Sequence, residues 1–248
     1  MTACQRKRDP SFMALDVYVG PLTRYYAGEW DNVSERTARE RGTQFRSGRR
    51  VGSGDSEPDM QEVLHSILAW RVALNQSLGD RIAHPFDWSE DLDAPYYTGR
   101  PGWDGFGSLV LWAAYAEHLA VRRPVSLPDE WDNDPALMRS NLAGFRSRYS
   151  HLVRNVELWL PNPFEFTFEG EDVDGRRVVV GSTAMLRRQL EELNAATWKA
   201  DADIVAAWGH EGLANAAPLE RDARYAFAVL LDLAERSVEP RLPMKLDY

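Results

Sequence analysis

Three short stretches decide the fold class: Val156-Glu157-Leu158-Trp159-Leu160, Phe164-Glu165-Phe166-Thr167-Phe168 and Arg177-Val178-Val179-Val180. Each is rich in β-branched and aromatic residues, and each is short. Pro161-Asn162-Pro163 and Asp172-Val173-Asp174-Gly175 supply turns between them. In the second stretch the three phenylalanines share one face of an extended chain, while Glu165 and Thr167 share the other. Outward from this block the apolar period changes from two to about 3.6. On its C-terminal side, Ser182 caps a helix carrying Leu186, Leu190 and Leu193. Asp201 caps one carrying Ile204, Val205 and Trp208, and Pro218 opens a last one carrying Ala223, Phe227, Leu230 and Leu233.

On the N-terminal side, Ala136 to Arg154 reads as helix through Leu137, Leu142, Phe145, Tyr149 and Leu152. Ser108 to Val121 is apolar almost all round, the pattern of a helix covered on several sides. Glu57 to Leu78 is an amphipathic helix with Ser56 as cap and Gly79 as stop. Asp31 to Arg41 is a charged helical segment ending at Gly42. Far upstream, Met13-Ala-Leu-Asp-Val-Tyr-Val19 reads as one more strand, stopped by Gly20-Pro21. The expected architecture is a single α+β domain over 13–248, mostly helical. It carries a small, mainly antiparallel sheet of about four strands near 13–19, 156–160, 164–169 and 177–181. Residues 1–12 read as a flexible leader, with Met13 as an alternative start. Residues 43–56, rich in Gly, Ser and Arg, read as a mobile loop.

Composition narrows the function classes. The chain has 248 residues, 44% hydrophobic and 27% charged, which excludes a wholly disordered chain, a collagen or a coiled-coil rod. One cysteine, Cys4, excludes an internal disulfide framework and any multi-cysteine metal site. The apolar run near 109–121 is too short for a membrane span of about 20 residues. With no export signal either, the expected compartment is the cytoplasm. Arginine supplies 26 of the 29 basic residues, a codon bias expected of a bacterial source. Residues 1–50 hold ten basic and six acidic residues, and the rest hold 19 and 32. Most of the chain therefore repels nucleic acid and anionic lipid and attracts a basic partner. The arginines at 36, 39, 41, 46, 49 and 50 form the one basic run, but Glu35 and Glu40 dilute it and no nucleic-acid motif accompanies it.

The stretch 84–106 carries the densest chemistry. His84 and five carboxylates (Asp87, Glu90, Asp91, Asp93 and Asp104) lie among six aromatic rings, with Arg100 between them. Long loops of this composition are often functional. The pattern predicts that Tyr96, Tyr97 and Trp103 line a groove with Asp87, Asp91 and Asp104 at its rim. A second wall is expected where Asp16 interrupts the first strand and Arg24-Tyr25-Tyr26 follows it. His84 with the neighbouring acids lacks the spacing of a metal loop. No phosphate loop, dinucleotide turn, serine elbow or zinc helix appears, so neither cofactor nor metal is expected.

Two readings of function remain. The first is an acidic binding protein of the immunity type, which neutralises a basic protein partner through aromatic anchors and steering charge. The second is a hydrolase-type enzyme that uses the carboxylates of 84–106 on a small polar or glycan substrate.

Overall fold

The structure, a computed structural model, describes residues 14–43, 59–213 and 217–248. The expected leader, most of the Gly/Ser/Arg loop, the Ser56 cap and three of the six arginines of the basic run lie outside them. About half of the chain is helical, and the strands form one mixed sheet, so the class is α+β.

In chain order the elements are β1 (Asp16–Val19), α1 (Leu22–Ala27), α2 (Val33–Glu40), α3 (Met60–Leu78), β2 (Tyr97–Gly99), α4 (Gly102–Glu117), α5 (Pro135–Ser140) and α6 (Ser150–Val153). Then follow β3 (Val156–Leu160), β4 (Phe168–Glu171), β5 (Arg177–Ser182), α7 (Thr183–Ala196), α8 (Ala202–Glu211), α9 (Leu219–Val238) and β6 (Met244–Asp247). The sheet order is β2-β1-β6-β3-β5-β4. It is antiparallel except where β3 runs parallel to β5. Six strands are present among the described residues, not about four. The two extra ones, β2 and β6, have three and four residues. Neither is long enough to show a period in sequence, and each exists because β1 offers it a backbone edge.

Two more expectations are corrected. The strand expected at 164–169 begins only at Phe168, because 161–167 must leave the end of β3 and cross to the sheet edge. Phe164, Phe166 and Phe168 still cluster, with centroids 5.4, 5.9 and 6.1 Å apart. The helix expected over 136–154 is two short helices with an irregular turn between them. Glu117 accepts bonds from the hydroxyls of Ser140 and Ser147 and from Arg148 N–H, and Gly144 has φ 85°. Tertiary bonds to one carboxylate outweigh the local period.

Alternation along the strands separates two cores. Val17, Val19, Trp159, Met244 and Leu246 face one side and join α4, α7 and α9 in the larger core. Leu158, Leu160, Val178 and Val180 face the other side and pack with Leu22, Ile67, Leu74, Leu78, Phe86 and Trp88. Helix α4 is buried from Gly105 through Tyr115, as its apolar surface requires. It starts six residues earlier than its apolar run. A Cβ at Gly107 would stand 2.7 Å from the Trp131 ring, so a glycine is needed for that close approach.

Among the described residues no helix is long and apolar enough to cross a membrane.

Leu111 is fully buried. Leu111→Ala is expected to lower unfolding free energy by about 2–5 kcal/mol, measured by denaturant titration. Gly107→Ala is expected to destabilise by about 1–3 kcal/mol through overpacking against Trp131.

The imidazole of His151 is fully buried, and its Nδ1 accepts the Ser182 N–H at 2.9 Å. Burial lowers its pKa to about 4, with the Glu165 carbonyl opposing in part. The unfolded chain binds the proton near pH 6.5, so between about 4 and 6.5 it holds more protons than the fold. Stability is therefore complete above that window and falls as pH drops through it, by at most about 1.4 kcal/mol per pH unit. Thermal melts between pH 7 and pH 4.5 are expected to show this slope, and His151→Gln to flatten it.

Candidate functional site

The second face of the sheet is not uniform. Its β3-β5-β4 half is apolar, while its β2-β1-β6 half carries Asp16, Tyr18, Thr98, Lys245 and Asp247. Alternation explains this: Asp16 and Tyr18 point opposite to Val17 and Val19, and the register places Tyr18 against Lys245 and Asp16 against Asp247.

At the outer corner Asp16 is buried and held by Arg100, with Nε to Oδ1 at 2.6 Å and Nη2 to Oδ2 at 2.9 Å. The Asp16 carboxylate raises the Arg100 pKa. Arg100 also donates to Ser34 Oγ at 2.7 Å, and its carbonyl accepts the Tyr225 hydroxyl at 2.9 Å. This pair ties β1 to α2 and α9. It is enclosed, so Asp16 serves the frame.

Gly20-Pro21 turns the chain from β1 into α1. Pro21 gives that helix no side-chain cap. Glu90 takes the role from a distance, accepting Leu22 N, Thr23 N and Thr23 Oγ1 at 3.2, 2.8 and 2.8 Å, and Trp88 Nε1 at 2.6 Å. Arg24 donates to the carbonyls of Leu92 and Ala94 and lies 5.2 Å from the Tyr96 ring centre. Asn75 bonds Phe86 N and O, while Arg71 and Arg241 hold Asp87 and its carbonyl. The stretch 84–97 is thus a strap bonded along its length to α1, α3 and the residues before β6.

The strap carries Tyr96 onto an aromatic cluster. Tyr18 lies at its centre, 5.3 Å from Tyr25, 4.8 Å from Trp30 and 6.1 Å from Tyr96. Its hydroxyl donates to Pro21 O at 2.9 Å, and burial raises its pKa well above the phenol range. Tyr25 stacks on Trp30 at 5.5 Å and meets Tyr26 edge-on at 5.1 Å.

Beneath Tyr25 and Tyr26 lies the most charged feature of the interior. Lys245 Nζ is 3.1 Å from Asp172 Oδ2, and their side chains are 4% and 1% exposed. The ammonium also sits 5.5 and 5.7 Å from the Tyr25 and Tyr26 ring centres. Asp172 accepts the N–H groups of Asp174 and Arg176 as well. The Tyr26 hydroxyl faces this carboxylate. Burial first, then Asp172 and Asp174, raise its pKa far above the phenol range.

Where β6 ends and β3 begins, the polar groups reach the surface. The Tyr25 hydroxyl donates to Asp247 at 3.0 Å. The Tyr248 hydroxyl donates to Glu157 at 2.6 Å, and its ring meets Trp103 at 5.2 Å. Desolvation lowers the pKa of nearby Arg176, but the charges of Tyr248, Asp172, Glu157 and Tyr25 outweigh it and raise the value. Burial, with Asp172 second, raises the Asp174 pKa. Tyr25 and Tyr26 are half-buried, and Tyr248 and Asp174 are exposed.

The structure therefore gathers Asp16, Arg24, Tyr25, Tyr26, Tyr96 and Arg100 onto one half of one face. It does not build the groove expected from 84–106. Tyr96 and Tyr97 point to opposite faces of the sheet, and Tyr97 and Trp103 pack on the larger core. Asp87 pairs with Arg71 at 3.0 Å, Asp91 accepts Asp93 N at 2.9 Å, and Asp104 stands in the first turn of α4. His84 lines a separate cleft with Phe86, Phe164 and Phe166. No cluster of three His, Cys, Asp or Glu suited to a metal occurs among the described residues.

Lys245, Asp172, Glu157, Asp247 and Tyr248 were not singled out by sequence. One signal was available: Lys245 is one of three lysines and sits in the apolar run Leu242-Pro-Met-Lys-Leu246.

Comparison with protein-family models, curated proteins and solved structures gave no match.

Removing one partner of a buried pair leaves the other charged and uncompensated. Arg100→Ala and Lys245→Ala are each expected to cost about 3–5 kcal/mol by chemical denaturation. The paired replacement Lys245→Met with Asp172→Leu is expected to be milder than either single change at those positions, and a larger loss would contradict the burial of this pair.

Proposed function

We propose that this protein is a non-catalytic binding protein that docks a basic protein partner. The docking face is the patch of Tyr25, Tyr26 and Tyr248 with Asp247, Glu157 and Asp174 around it. The observation that carries the reading is the fixing of these rings by carboxylates. The Tyr25 and Tyr248 hydroxyls donate to Asp247 and Glu157, and Tyr26 faces Asp172.

Partly exposed rings held in one orientation lose little conformational entropy when a partner covers them. Aromatic anchors at the centre of an interface carry most of its energy. Carboxylates at the edge steer a basic partner and discriminate against an acidic one. The formal charge of −9 acts in the same sense at longer range. Lys245 beneath Tyr25 and Tyr26 already places a cation against these rings, which is the contact that an arginine or lysine of a partner would repeat from outside.

The test is capture from the source cell with the immobilised wild type, followed by affinity measurement on the purified partner. The partner is expected to be basic. Tyr248→Ala, a change at the exposed C-terminus, is expected to weaken binding by about tenfold or more. Asp247→Lys is expected to slow association, more strongly at low salt. The same proteins captured at the same yield by wild type and by the Tyr248→Ala, Asp247→Lys variant would overturn the proposal.

A further inference from the structure

Strand β4 is one edge of the sheet, pairing only with β5 among the described residues. Its register sets Phe168 against Val180 and Glu171 against Arg177. It runs on to the next pair, where Asp172 N–H donates to Arg176 O at 2.8 Å. Antiparallel partners alternate between pairs that exchange hydrogen bonds and pairs that do not. With 172 and 176 bonded, Gly170 and Phe168 direct their N–H and C=O groups at β5, and Glu169 and Glu171 direct theirs outward. The indole of Trp70 agrees with this, since it reaches Glu171 O from α3 at 2.7 Å. Glu169 N–H, Glu169 O and Glu171 N–H are left without a backbone partner among the described residues. At the opposite edge α2 covers β2, and Arg36 donates to Thr98 O at 3.3 Å.

The side chains of this edge alternate between two faces. Glu169 and Glu171 stand on one, and both are exposed. Arg177 meets Glu169 at 3.0 Å but is itself 82% exposed, so the pair is weak and one negative charge is left over. Phe168 and Gly170 stand on the other face, over the smaller core, where Phe168 is partly buried beside Phe166. A Cβ at Gly170 would meet only Phe168, at 3.6 Å, so there is room next to that ring. Exposed Asp174 follows in the turn and extends the negative charge.

We propose that the outer edge of β4 takes an extended peptide as a further strand, one in which Lys or Arg alternates with apolar residues. This site stands apart from the tyrosine patch, because it uses backbone groups of β4 and no ring of that patch. Added strands gain affinity from main-chain hydrogen bonds and specificity from alternate side chains. An antiparallel peptide residue opposite Glu169 exchanges both hydrogen bonds there, and its side chain shares the Glu169 face. A basic residue at that position, and another opposite Glu171, meet carboxylates. The residue between them lies over Gly170 beside Phe168 and is apolar. A second copy of β4 would set glutamate against glutamate, and like charges directly opposite are destabilising, so the occupant is a basic chain and not this one.

The probe is Ac-Lys-Val-Lys-Val-Lys-NH2, and the readouts are amide exchange and chemical-shift titration by NMR on the full chain. In the free protein the Glu169 and Glu171 amides are expected to exchange at least about tenfold faster than the Gly170 amide, and the peptide to slow them. Ac-Glu-Val-Glu-Val-Glu-NH2 is expected not to bind, and Ac-Lys-Lys-Lys-Val-Val-NH2 to bind at least about fivefold more weakly. Added salt is expected to weaken the probe. Proline is tolerated at an edge where its missing N–H faces solvent. Glu169→Pro is therefore expected to keep the β4-β5 pairing, read from the Gly170 amide, and to abolish binding. N-methylation of the peptide's central lysine breaks the same ladder from the other side, whatever the fate of that variant, and is expected to weaken binding about tenfold. Tyr248→Ala is expected to leave binding unchanged. Slow exchange of the Glu169 and Glu171 amides in the free protein, or no shifts up to about 5 mM probe, would overturn the proposal. So would equal binding of the two lysine peptides, undiminished binding of the N-methylated one, or a dimer of the chain that Glu169→Pro dissolves.

Discussion

Strand β6 holds the molecule together. It pairs with β1 on one side and β3 on the other, and among the described residues it alone joins the β2-β1 half of the sheet to the β3-β5-β4 half. Among the described residues it is also the last element in chain order, while β1 is the first. The sheet cannot close until residues near position 244 reach residues near position 16. Contacts of such long sequence separation cost loop entropy before they repay it, which favours slow, late assembly of the sheet centre. Met244 and Leu246 join the larger core, and Lys245 stands on the opposite face, so both layers depend on these four residues.

The two faces of β6 have different energetics. The apolar face gains from burial alone. The charged face buries an ammonium and a carboxylate, and desolvation removes much of what their attraction contributes. The pair also bears on register: an ammonium at position 245 meets Asp172 in this register and not when shifted by a residue. Tyr25 and Tyr26 then take their positions over the pair, and the same network that fixes the register presents those rings at the surface. In this reading the frame and the docking patch share their buried charges.

Much of the frame was legible in the residues. The caps at Ser182 and Asp201 are present, and α3, α7 and α9 follow their apolar periods. The first strand, the third and the fifth lie where Asp16–Val19, Val156–Leu160 and Arg177–Ser182 alternate or run apolar. Of the patch proposed for docking, only Tyr25 and Tyr26 were singled out from sequence, while Asp16 and Arg24, singled out beside them, bond to Arg100 and to the strap carbonyls. The failures have one cause. In 136–154, Glu117 overrides the helical period by taking bonds from Ser140 at the end of α5 and from Ser147 and Arg148 in the turn. In 84–106, Glu90 is spent on capping α1, so the loop's acids and rings have different employments that composition could not distinguish.

Sequence by itself determined part of the local structure: the helices α3, α7, α8 and α9, the caps at Ser182 and Asp201, the strands β1, β3 and β5, and a carboxylate within the first strand. Only the tertiary structure decided who meets whom. Asp172 and Lys245 are 73 residues apart, and Asp16 and Arg100 are 84 apart. Periodicity decays within an element and carries no information across such distances. The partner of a buried charge, the strand that completes a sheet and the face on which a tyrosine emerges are set by packing of the whole chain.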